Sequence, residues 1–271
     1  MIFRIIPALV AAYVFFGLGG EAKAQMNPWA TYSSDRFVNS NMQLFFQNRW
    51  NIARMRSEGK HQLADAMEGR STGARQSAQP NPGSTLTGTT GASLLNAPLS
   101  MTNFNSVGAP SIHKRIAASI EGIDAQHRQQ LESAFLELLR SYDRLLAENG
   151  QQKLKNNVAG AFNFLFTVSY FALKDGRELT EAQQKNMLDQ INVAIALGLK
   201  DRPMSDREKQ DVYESAVLSG MLILGLYKEG SEEGNAESIK TARMMATELL
   251  DQMMGISIDR VRVSGNTVQI N

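Results

Sequence analysis

The run Val158-Ala159-Gly160-Ala161-Phe162-Asn163-Phe164-Leu165-Phe166-Thr167-Val168-Ser169-Tyr170-Phe171-Ala172-Leu173 carries apolar residues on almost every side of a helix, the pattern of a helix buried all round. Just before it, Leu131, Ala134, Phe135, Leu138, Leu139, Tyr142, Leu145 and Leu146 recur every three or four residues. They form one wide apolar stripe that Gly150 ends. An enclosed helix beside an amphipathic one predicts an all-α fold, a compact helical bundle.

Two capping-box patterns mark further helix starts, Thr180-Glu181-Ala182-Gln183 and Ser205-Asp206-Arg207-Glu208. The first helix is read through Met187, Leu188, Ile191 and Ile195 toward Leu199, the second through Val212, Ala216, Val217, Met221, Ile223 and Leu224 until Gly230. A last helix is read from about Glu237, with Gly255 as its left-handed stop and Ile256 covering it. Beyond it Ile258, Val261, Val263, Val268 and Ile270 alternate with polar residues around Ser264-Gly265-Asn266, which predicts a short β-hairpin or an extended tail leaning on the helices. Ala216, Ser219, Gly220 and Gly225 are small enough to let two helices approach closely.

Outward from this helical domain, residues 112–271, composition changes twice. Residues 70–111 are rich in Ser, Thr, Gly, Pro and Asn and read as a low-complexity, disordered linker. Residues 25–69 hold both tryptophans and read as an aromatic-rich helical segment whose start Ser34 or Asp35 caps. Residues 1–24 read as a signal peptide: Arg4, an apolar run from Ile5 to Leu18, and Ala22-Lys23-Ala24, with cleavage expected between Ala24 and Gln25. The run is short for a membrane span. The mature chain is therefore expected to be exported, periplasmic or secreted.

An exported chain without cysteine has no disulfide framework and must hold itself by packing. The whole chain has 28 basic and 27 acidic residues; Arg4, Lys23 and Glu21 leave with the signal, so 26 of each remain. A neutral protein with no basic stripe argues against nucleic acid as a partner.

The order of several blocks resembles a family of uncharacterised exported bacterial proteins known only as a domain of unknown function. The resemblance rests on Asn156-Asn157-Val158-Ala159-Gly160-Ala161-Phe162, on Lys174-Asp175-Gly176-Arg177, on the block from Asp206 to Leu226 and on the tail from Gly255 to Val263. It covers roughly residues 107–270 and leaves the zone before Arg70 outside. It implies a signal peptide, a variable Ser/Gly/Pro-rich stretch and a C-terminal helical domain, and it brings no activity to carry over.

Chemistry is thinly represented. His61, His113 and His127 have no i, i+4 spacing among them and read as exposed polar residues, so no metal site is expected. Ser57-Glu58-Gly59-Lys60 and Ser111-Ile112-His113-Lys114 match the S-x-x-K pattern of acyl transfer, yet the companion elements of that chemistry are missing. No phosphate-cradling loop occurs, and Glu232, Glu233 and Glu237 read as acids favoured near a helix start. No catalytic residue and no cofactor is assigned.

Trp29, Phe45, Phe46 and Trp50 supply the large apolar area of interface anchors and are the candidate contacts to a partner, another envelope or extracellular protein. The arm could equally dock on its own bundle, and the oligomeric state is left open. The reading is thus a non-enzymatic protein-interaction module. Its alternatives are an extracytoplasmic hydrolase with a carboxylate-based site and a membrane-active protein inserting 158–173 and 217–227 as a hairpin.

Overall fold

The computed structural model describes residues 97–119, 124–201 and 203–270. Among the described residues six α-helices follow one another: α1 (Ile112–Ser119), α2 (Ala125–Glu148), α3 (Val158–Leu173), α4 (Glu181–Asp201), α5 (Asp206–Glu233) and α6 (Ala236–Leu249). A hairpin closes the chain, β1 (Val261–Ser264) paired antiparallel with β2 (Thr267–Ile270). The fold is a helical bundle with a small C-terminal hairpin.

The enclosed run is the centre of it. In α3 every residue except Phe164, Phe171 and Leu173 is buried, and α4, α5 and α6 all pack around it. The longest of the described helices, α5, lies against α3 and runs the same way, since Gly220 meets Phe164 and, seven residues on in both helices, Tyr227 meets Phe171 edge-on at 5.1 Å. At Gly220 a Cβ would stand 2.7 Å from the Phe164 ring, so glycine is what permits the approach. The two runs that a membrane hairpin would use are these two packed helices. Among the described residues no helix is long and apolar enough to cross a membrane.

Both capping boxes form. Thr180 and Gln183 exchange backbone-to-side-chain bonds at 2.9 and 3.3 Å, and Ser205 and Glu208 do the same at the head of α5. The α2 stripe faces inward through Leu131, Phe135, Leu138, Leu139, Tyr142, Leu145 and Leu146, with the Tyr142 ring 4.7 Å from Phe164. At the far end α6 widens into a π turn, Leu250–Met254, before Gly255 at φ 64°. There Ile256 N–H donates to Leu250 O at 3.0 Å, and its buried side chain covers the stop as expected.

The hairpin leans on α4. Asn186 Oδ1 accepts from Val268 N–H at 2.9 Å, Gln190 Nε2 donates to Val268 O at 2.9 Å, and Gln183 Nε2 donates to Gly265 O at 2.7 Å. Gly265, at φ 53°, takes the first position of the two-residue turn.

Three expectations are corrected. The helix read as ending at Gly230 continues to Glu233, and the left-handed stop is Gly234 at φ 70°. Gly230 is instead a contact glycine: a Cβ there would lie 2.6 Å from Ile239 Cγ1 and 2.8 Å from Asn235 O. The end of the stretch read as linker, 97–111, is an ordered strap, because it carries Phe104 and Thr102 into the core and finds partners for its backbone on α3 and α5. His113, read as exposed, is buried at 4% exposure, because α1, on which it sits, packs against α2 and α5.

Candidate functional site

Six buried polar residues, Thr102, His113, Asn157, Asn192, Gln210 and Glu214, lie where the strap crosses the helices. Asn157 caps α3 by accepting from Gly160 N–H at 2.7 Å, while its amide nitrogen lies within reach of three acceptors: Leu99 O (2.9 Å), Thr102 Oγ1 (2.9 Å) and Asn103 Oδ1 (2.6 Å). Asn192 of α4 adds a second tie, donating to Ala97 O at 2.7 Å and accepting from Thr102 Oγ1 at 2.8 Å. Asn156 before the cap sits at φ 55°, a left-handed conformation that asparagine tolerates, and it accepts from Phe104 N–H.

The first turns of α5 hold the rest of the strap. Gln210 Oε1 accepts from Val107 N–H at 2.7 Å, and Arg207 donates to Val107 O at 3.1 Å. Glu214, 3% exposed, accepts from the backbone N–H groups of Ser111 and Ile112 at 3.1 Å each and from Gln210 Nε2 at 2.7 Å. A carboxylate thus satisfies donors that the start of α1 leaves open. Arg115 pairs with Asp211 at 2.6 Å beside it.

His113 lies against this clamp. Burial holds its imidazole below the ordinary range, opposed by the charges of Glu214 and Glu132 and assisted by that of Lys114. Its Nδ1 has no hydrogen-bond partner. The arrangement does not activate a nucleophile: Ser111 Oγ accepts from Arg207, and Lys114 is exposed. The S-x-x-K match at Ser111 is therefore a helix start held by Glu214. Burial also pushes the phenols of Tyr142 and Tyr213 up, so both stay neutral in the core.

Away from the strap an open groove of about 850 Å³ runs along the outer face of α6 and reaches Ser257. Met244 lines it at 55% exposure, together with Lys240, Arg243, Glu248 and Asp251. Arg243 also reaches back, donating to Ala172 O and pairing with Asp175. The carboxyl that burial raises, Glu229, with Glu233 one turn away adding to the rise, does not line this groove. An acid pair and a cleft are both present, in different places. No group of three or more metal-ligating side chains occurs among the described residues.

The blocks that carry the resemblance are thereby accounted for by folding. Asn156, Asn157 and Gly160 make the strained entry to α3, where a Cβ on Gly160 would lie 3.0 Å from Leu154 Cβ. Asp175 and Gly176, at φ 55° and 79°, make the exit that Arg243 pins. The residues from Asp206 onward hold the strap, and the tail supplies the α6 stop and the hairpin. A family model matches residues 5–271. The chain belongs to the family of unknown function DUF6683. Its extent corrects the narrower likeness over 107–270, since the match takes in the zone before Arg70 as well. No curated protein and no solved structure matches the chain. The sequence-predicted site residues Ala24, Gln25, Trp29, Phe45, Phe46 and Trp50 lie outside the described residues.

Proposed function

We propose that this protein is an exported, non-enzymatic interaction module of the bacterial envelope or exterior, in which the helical domain is a base and the aromatic segment 25–69 makes the contact. The observation that carries this reading is the strap. Its polar ties to Asn157, Asn192, Gln210 and Glu214 fix the chain at residue 97 to the bundle, so whatever precedes that point is delivered from a rigid base. The blocks on which the resemblance rests are used for turns, caps and clamps, which supports a scaffold more than a catalyst. A hydrolase gains no support from the acids, because the raised carboxyl Glu229 stands apart from the groove.

The test is capture by the mature chain, from Gln25 onward, after cross-linking in an envelope fraction. Replacing Trp29, Phe45, Phe46 and Trp50 by Ala is expected to abolish capture while the helical circular dichroism stays unchanged. Undiminished capture by that variant, or by a chain lacking residues 25–69, defeats the arm as the contact. Export has its own readout: an intact mass beginning at Gln25 supports it, and cytosolic protein retaining Met1 overturns it.

A further inference from the structure

We infer that the outer face of α6 is a self-association surface on which two copies of this chain pair antiparallel across a two-fold axis. Among the described residues this face is open at its centre: Met244 is the most exposed of the large apolar side chains, at 55% against 45% for Val107 and 39% for Met101. It lines the groove, so it marks an apolar centre with charges on both sides.

The order of those charges selects the occupant. Lys240 and Arg243 come first along the helix and Glu248 and Asp251 last, all on the groove face. The midpoint between Met245 and Ala246 is equidistant in sequence from Lys240 and Asp251, from Arg243 and Glu248, and from Met244 and Thr247. An antiparallel copy turned about that point sets each cation of one chain opposite an anion of the other, and every contact occurs twice. Met244 then lies over Thr247 at the centre. A parallel copy would set Lys240 on Lys240 and Asp251 on Asp251, which repel. The outermost pairs fall about 8 Å on either side of the axis at about 1.5 Å per residue, with Asp251 in the π turn that continues α6.

The existing contacts of the two cations leave room for such pairing, and Glu248 already accepts from Gln252 at 3.1 Å. Arg243 uses its Nε and one terminal nitrogen on Ala172 and Asp175, and its guanidinium carries further donors. Lys240 reaches Glu237 only at 3.6 Å, and both side chains are largely exposed. One helix-on-helix contact is smaller than a standard interface, so the pair is weak, with Kd on the order of tens of micromolar, and is further weakened by salt.

The inference does not rest on the arm reading, and its test leaves residues 25–69 untouched. Sedimentation velocity of the mature chain from about 5 to 500 µM brackets the expected midpoint. A monomer-to-dimer shift is expected. Lys240→Glu and Asp251→Lys are each expected to weaken the dimer at least about tenfold, because each places like charges opposite one another twice. Mixed in equal amounts, the two variants restore both pairings, and a dimer of one chain of each is expected. Both positions are exposed, and circular dichroism of each variant checks the fold. A chain monomeric throughout the range, a dimer indifferent to both reversals, or a mixture of two folded variants that stays monomeric would overturn the proposal.

Discussion

Asn157 offers the sharpest test of how the strap is held. It is fully buried, and its two amide hydrogens face three acceptors while its oxygen caps α3. Replacement by Ala removes an N-cap, about 1 kcal/mol, and leaves the buried Thr102 Oγ1 and two partly buried acceptors without their donor, about 1–3 kcal/mol more. The sum, about 2–4 kcal/mol, is a loss of roughly 1–2 M in the urea midpoint at a slope of about 2 kcal/mol per M, the middle of the usual range. Asn157→Asp separates the two parts. An ordinary cap accepts Asp as readily as Asn. Here the second carboxylate oxygen would face Leu99 O and Asn103 Oδ1, two acceptors, so Asp is expected to be at least as destabilising as Ala. Hydrogen exchange at Phe104 N–H, which bonds Asn156 O, should quicken in both variants. An Ala variant that loses less than about 1 kcal/mol, or an Asp variant as stable as the parent, would refute the account of the strap as a polar clamp.

Two glycines of α5 should respond with opposite signs. Gly225→Ala meets nothing within 4 Å and is expected to stabilise by about 0.5–1 kcal/mol, whereas Gly230→Ala drives a Cβ into Ile239 and the Asn235 carbonyl and is expected to lose about 1–3 kcal/mol; thermal denaturation of both variants decides it. Acidification should weaken the fold through His113. Its folded pKa lies below the ordinary 6.5, so the unfolded chain binds the extra proton first and stability is lost as pH falls through and below that value. Glu229, raised by burial, acts in the opposite direction, so the measurement is the difference in pH slope between the parent and His113→Gln. Equal slopes would remove His113 from the account. Asp124, held low mainly by the His127 backbone N–H, titrates below this window, and its contribution disappears only as pH falls below the ordinary carboxyl range. Finally, Gln190→Ala should release β2 from α4, seen as faster exchange at Val268 N–H with the helices intact.

What the sequence disclosed is what local physics controls. The α2 stripe, the enclosed α3 run, both capping boxes, the Gly255–Ile256 stop and the Ser264-Gly265-Asn266 turn each depend on residues within a turn or two of one another. The strap escaped because its order comes from partners far along the chain: Thr102 meets Asn192, Val107 meets Gln210, and Ile112 meets Glu214. Composition between residues 97 and 111 resembles the preceding low-complexity stretch, and its few large apolar residues, Leu99, Met101, Phe104 and Val107, follow no helical or strand period. Gly230 misled for a related reason, since a stop glycine and a contact glycine look identical until Ile239 is brought against one of them. The groove on α6 was equally hidden, because an outward helical face reads as solvated polarity whether or not something covers it.

The way α4 grips the hairpin limits how anything else can join this fold. A free strand edge would invite an extended peptide to add itself through main-chain bonds. At Val268 both backbone groups that point away from β1 are already taken by Asn186 and Gln190. Two glutamine-like side chains on a helix thus do the work of a third strand, and recruitment by sheet extension is blocked at that position on the β2 side.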